Sequence, residues 1–304
     1  MSTFRVTSSF IASVSVIALA AGPAAAADLT VTGTRNTAIT TSNANSGPGN
    51  VIVDGTVDVS SGTAITVDSS NSVTVNASRT VKTTTQSNGT GVAVVTPGGG
   101  LSGTITNNGT IQVTGTGASD AVGTNNVGLL IGGTGTFTGN VVSGAASSIT
   151  VGGTDSYGVS VTSRLNGNLG VNGVSVTGAR STAVSVSGEV TGNVKVTGGV
   201  SSTGADGAAL AVTGTVGGGI ANAGAIATGA SQTTSSDGTV VPAVAGKASV
   251  LISGTVGGGF VNDRYYVDAD GNRVAPACTE ASSRSAFTAL VSACSSASAP
   301  IEAS

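Results

Sequence analysis

One nine-residue phrase limits what this chain can fold into. Residues 186–194 read V-S-G-E-V-T-G-N-V. The phrase returns at 212–220 (V-T-G-T-V-G-G-G-I) and at 252–260 (I-S-G-T-V-G-G-G-F). An earlier copy, 161–169 (V-T-S-R-L-N-G-N-L), carries Ser163 where the others have their first glycine. Two further copies, each two residues longer in the middle, occupy 95–105 and 131–141. The second glycine of the six copies falls at Gly103, Gly139, Gly167, Gly192, Gly218 and Gly258, in steps of 36, 28, 25, 26 and 40. A step near 25 with occasional longer ones marks a structural repeat that tolerates insertion at one point.

Within each repeat, apolar residues arrive singly and alternate with small polar ones, as in Val159-Ser160-Val161 and Val184-Ser185-Val186. That is the period-two pattern of half-buried strands. Each repeat opens on such a run, continues through the phrase, and closes on a third strand such as 174–177 (V-S-V-T). Three short strands cannot enclose a core alone, but stacked in register on copies of themselves they can. The predicted fold is therefore all-β: a parallel β-helix, or solenoid, of about 25-residue three-strand coils. Charged residues make up 8% of the chain and aromatics 3%. An ordinary globular domain carries roughly 25% charge. Plain disorder is also excluded, since it calls for high charge and few β-branched residues.

Along the chain, residues 1–27 read as a secretory signal peptide: Arg5, an apolar run over 10–21, Pro23, and Ala25-Ala26-Ala27 before Asp28. Residues 28–90 are repeat-like but irregular, as the atypical first coils of a stack are. Residues 91–262 hold the regular repeats. The long steps place insertions at 116–126 and 230–247, both after the third strand and so expected on one side of the column, the side on which solenoids often bind. Residues 263–304 break the pattern and include the one stretch with helical character, 279–291.

The signal peptide followed by V-x-G-x-V-x-G-x-V coils and N-x-G-x-I phrases (107–111 and 222–226) resembles the passenger region of bacterial autotransporters, the Gram-negative type V secretion system. The resemblance covers roughly residues 28–262. It implies a right-handed β-helix carried through the outer membrane to the cell surface. It also implies contact with outer-membrane assembly machinery, and adhesion to host or neighbouring-cell surface molecules or glycans. The sequence departs from the family at its end: the expected C-terminal barrel, with its aromatic girdles, is not encoded before Ala303-Ser304. The chain is then either the N-terminal part of a longer protein or is exported by another route.

Candidate sites are few. Cys278 and Cys294, sixteen apart in an exported chain, are expected to form a disulfide worth ~3 kcal/mol; the alternative is two free thiols. With no histidine, a Ser-His-Asp triad is impossible, and no cofactor or metal site is expected. Asp268-Ala269-Asp270-Gly271-Asn272 looks like a piece of a calcium loop, but its glycine falls at the wrong place for an EF-hand. Gly152-Gly153-Thr154-Asp155 lacks the third glycine of a calcium-binding β-roll repeat. The triple glycines at 98–100, 217–219 and 257–259 are not followed by the Lys-Ser/Thr of a phosphate loop. Asp54 and Asp58 lie four apart and could share a strand face. A groove of such carboxylates would suggest a glycan-active enzyme; their scatter favours a non-catalytic stalk. Net charge is −3 with no basic patch, so nucleic acid is not an expected partner.

Overall fold

A computed structural model describes residues 27–84, 87–114, 123–229, 231–234, 240–244, 248–262, 266–267 and 273–274. Most of these residues form a parallel β-helix; 231–234 with 240–244, and 266–267 with 273–274, pair antiparallel outside it. The chain winds through four sheets in turn, and each strand pairs in parallel with its counterpart one turn on. Sheet I has nine strands, from Leu29–Val31 to Phe260–Asn262. Sheet II has eight, from Thr34–Arg35 to Ile226–Gly229, and sheet III eight, from Ile39–Thr40 to Ala248–Ile252. Sheet IV has six strands of two or three residues each, from Leu101–Ser102 to Thr255–Val256. Eight steps of about 4.8 Å separate the nine strands of sheet I, giving a column about 38 Å long.

The fourth sheet is the main departure from the three-strand coil predicted above. The first two turns do have three strands, and a fourth enters only from Leu101–Ser102 onward. It lies inside the repeated phrase. In 161–169, Val161 ends a sheet III strand, Arg164–Asn166 is the sheet IV strand, and Leu169 begins sheet I. The phrase is thus a pair of corners around one short strand. The first copy also shifts by one residue: Val94, not Val95, pairs with Ile131 and is buried, while Val95 sits opposite Gly132 with 46% of its surface exposed.

The core follows from strand alternation. Inward positions stack Val, Ile and Leu in columns, such as Val159, Val184 and Leu210 in sheet III or Val174 and Val200 in sheet II, all at most 1% exposed. Fully burying one such side chain contributes about 1.5–3 kcal/mol. Among the described residues the largest fully buried side chain is Phe137, inside one of the two longer copies of the phrase. Residues 28–90, irregular in sequence, contribute the first strands of sheets I, II and III and part of the same core.

Corners are held by cross-turn hydrogen bonds. Before four of the sheet I strands, an asparagine side chain accepts a backbone N–H from the next turn. Asn140 Oδ1 accepts from Asn168 at 2.9 Å, Asn168 Oδ1 from Asn193 at 2.9 Å, and Asn193 Oδ1 from Gly219 at 2.9 Å. Asp28 and Asn50 begin the same ladder in the first turns. The adjoining phrase glycines are where turns approach most closely. Gly139 has φ +145°, and a Cβ there would run into the Gly103 carbonyl.

Candidate functional site

The corner between sheets II and III gathers more polar and charged chemistry than any other. Five residues there stand in one column, each two positions before a sheet III strand or its extension: Asn88, Asn125, Asp155, Arg180 and Asp206. All five take a left-handed backbone, with φ between 53° and 59°. L-residues seldom adopt it, though Asn and Asp do so more readily than most. It lets the chain turn sharply between the sheets while its side chains point outward.

The next residue in each turn points inward and forms a buried polar ladder. Gly89 N donates to Asn126 Oδ1 at 2.9 Å, Asn126 N to Ser156 Oγ at 3.1 Å, and Ser156 N to Ser181 Oγ at 3.1 Å. Asn126 Nδ2 also donates to the Gly152 carbonyl at 2.8 Å. Asn126, Ser156 and Ser181 are fully buried, so these bonds satisfy backbone groups that no sheet reaches.

On the outside, Arg180 grips Asp155 with two hydrogen bonds, Nε to Oδ1 at 2.8 Å and Nη2 to Oδ2 at 2.7 Å. The Arg180 hydrogen bond, opposed by desolvation and aided by the attraction of the guanidinium, holds the Asp155 carboxyl below its ordinary value. The hydrogen bond to Asp155 raises Arg180, with a smaller attraction from Asp206 on the following turn. Both insertions enter the chain at this corner. Residues 115–122 fall between the sheet II strand Thr110–Val113 and the sheet III strand Val127–Gly133. Residues 230–247 fall between Ile226–Gly229 and Ala248–Ile252, and within them Ser231–Thr234 pairs antiparallel with Val240–Val244. The common side predicted for the insertions is thus a single corner of the helix.

The predicted acidic pair is separated. Asp54 lies at the corner before the strand Thr56–Val59, outside it, and pairs with Arg79 at 3.1 Å. Asp58 lies within that strand, in register with Lys82, and accepts from Thr84 Oγ1 at 3.4 Å. Each carboxylate among the described residues faces a cation or a hydrogen-bond donor on a neighbouring turn. Among the described residues no three His, Cys, Asp or Glu come together as metal ligands would. Gly99 and Gly100 of the first triple glycine border a shallow open depression of about 280 Å³ with Ser70, Ser102, Thr136 and Thr138 around it. It is a notch left where sheet IV begins, since the turns before it lack that strand. The signal segment 1–27 except Ala27, the cysteines Cys278 and Cys294, the Asp268–Asn272 stretch (268–272) and the helical stretch 279–291 lie outside the described residues.

Sequence reasoning found the insertions and the corner glycines but missed the left-handed column. Its members share a backbone shape and no side-chain type, so only the sheet register reveals them. No protein-family model, curated protein or solved structure matches the chain.

Proposed function

We propose that this chain is the β-helical stalk of an exported, surface-displayed protein of the autotransporter-passenger kind, and that it works by contact and not by catalysis. The observation that carries the reading is the placement of both insertions at one corner of an otherwise continuous stack. Length varies there from turn to turn while the sheets keep register on either side, which is how a scaffold presents variable binding segments. The outer surface supports the same reading: among the described residues the ion pairs Asp54–Arg79, Arg164–Glu189 and Asp155–Arg180 join neighbouring turns, and no three acidic residues cluster as metal ligands would. Partners of this kind are surface molecules or glycans of host or neighbouring cells. During export the partner is the outer-membrane assembly machinery.

Two measurements test it. The full chain is expressed from Met1 in a Gram-negative host, and intact cells are treated with an external protease. Peptides from residues 28–262 released into the medium are the expected result; complete protection inside the cell would sink surface display. Purified protein is then applied to whole cells with and without residues 231–244. Loss of cell binding with an unchanged β-type circular dichroism spectrum supports contact through the corner. Release of new reducing ends from added polysaccharide would replace the stalk by a glycan-active enzyme.

A further inference from the structure

The two ends of the column are chemically different. An inward column of sheet II runs through Val57, Val81, Ile111, Ile149, Val174 and Val200, each at most 1% exposed. Its first member, in register with Val57, is Arg35. A charge at an inward position of an edge strand opposes further pairing, because another turn stacked on it would bury the cation without a partner. The first described turn thus carries its own stop.

The other end has no such residue. The last strands of sheets I, III and IV set Phe260, Val250, Ile252 and Val256 over Ile220, Leu210, Val212 and Val216. The lower four are at most 1% exposed. The upper four are only partly buried, as is Ile226, the last member of the sheet II column. In sheet III, four of the five residues of Ala208–Val212 are buried and none of Ala248–Ile252. Backbone groups point the same way. Val194 N donates to the Gly219 carbonyl, Ile220 N to Gly259 and Val200 N to Ala225, each on the following turn. By the same geometry the N–H groups of Phe260 and Ile226 are directed off the end, and their acceptors must come from beyond the last turn.

Whatever covers this end must be apolar, offer backbone partners and stop the stack. A second copy stacked head to tail fails, since it would set Arg35 over Ile226 and bury the charge. The chain itself meets the need. Residues 263–304 follow Asn262 directly and are long enough for a whole turn. Of the six aromatic residues after position 27, Tyr265, Tyr266 and Phe287 lie in this stretch, and aromatic side chains bury large areas. The parallel path also ends here. Tyr266 stands six residues after Phe260, the step that carries Val194 to Val200 and Ile220 to Ile226. Yet Tyr266–Val267 pairs antiparallel with Arg273–Val274. A hairpin at that point leaves the repeat, as the closing unit of a solenoid does. We propose that residues 263–304 dock on the C-terminal end of the column, over Phe260, Val250, Ile252 and Val256, and close its core.

The full-length chain tests this with a photo-crosslinker placed in the end itself. Phe260 is replaced by p-benzoylphenylalanine, which keeps an aromatic ring at the site, and the irradiated protein is digested and its cross-linked peptides are identified by mass spectrometry. Cross-links to peptides of 263–304 within one chain are the expected result. Cross-links that join two chains, seen as a doubled mass, would put a second copy on the end, and cross-links to neither would leave it open; either outcome overturns the proposal. Should the replacement fail to fold, amide exchange of the unaltered chain decides the matter. The Phe260 and Ile226 amides are expected to exchange as slowly as those of Ile220 and Val200, and several-fold faster in Tyr265→Ser/Tyr266→Ser. Fast exchange at both amides in the unaltered chain, or no change in the double variant, overturns it.

Discussion

At the scale of single residues, the phrase glycines and the left-handed column answer the same need, a sharp corner, in two ways. At Gly139 the need is both conformational and steric, because φ is positive and the turn below leaves no room for a Cβ. Gly199 is exposed and has open space around it. Gly139→Ala should therefore cost about 1–3 kcal/mol, while Gly199→Ala should leave stability almost unchanged. A urea titration of both variants checks this, and equal midpoints would mean that the corner relaxes around the added methyl. Glycine could be recognised from sequence because it recurs at fixed steps. Asp155, Arg180 and Asp206 could not, because each carries the same backbone conformation with different chemistry. Their alignment is visible only once Tyr157, Thr182 and Ala208 are known to be register partners.

At the scale of elements, sheet III and its corner depend on polar groups as much as on valine. Asn126 is the clearest case, accepting from Gly89 and donating to Gly152 on two different turns. Asn126→Ala would orphan both backbone groups, at about 1–3 kcal/mol each. The expected readout is a lower denaturant midpoint at unchanged slope; a midpoint equal to that of the parent would mean that water enters and takes the place of the amide. Beyond the first turn, the strands of sheets I, II and III were legible because three to seven residues of alternation make a pattern. Sheet IV was not, because Glu189–Val190 or Thr215–Val216 is too short to show a period and sits inside a phrase that reads as turn. The one-residue shift at Val94 has a related origin. Val92, Ala93, Val94 and Val95 are all apolar, so alternation alone does not say which of them face inward.

At the scale of the molecule, stability should behave as a sum over turns and junctions. Deletion of residues 194–219, one complete turn, joins Asn193 to Ile220 and sets Leu169 beside Ile220 in sheet I. Both the Asp155–Arg180 and Arg164–Glu189 pairs are kept. That variant is expected to fold, with a β-type circular dichroism spectrum and a cooperative thermal transition. Deletion of 194–206, half a turn, breaks the register of the sheets and is expected not to fold. Equal behaviour of the two deletions would mean that turns are not the units of stability.

The bonds between turns run along the column, while the chain within each turn runs across it. A load applied at the two ends of such a column does not shear its sheets; it opens one rung of hydrogen bonds after another. Each rung that opens releases a whole turn of 22 to 40 residues, roughly 75–140 Å of extended chain at about 3.4 Å per residue, in place of a 4.8 Å rise. A tether built this way gives way in discrete lengths from its ends, and the turns still stacked between keep their shape while it does so.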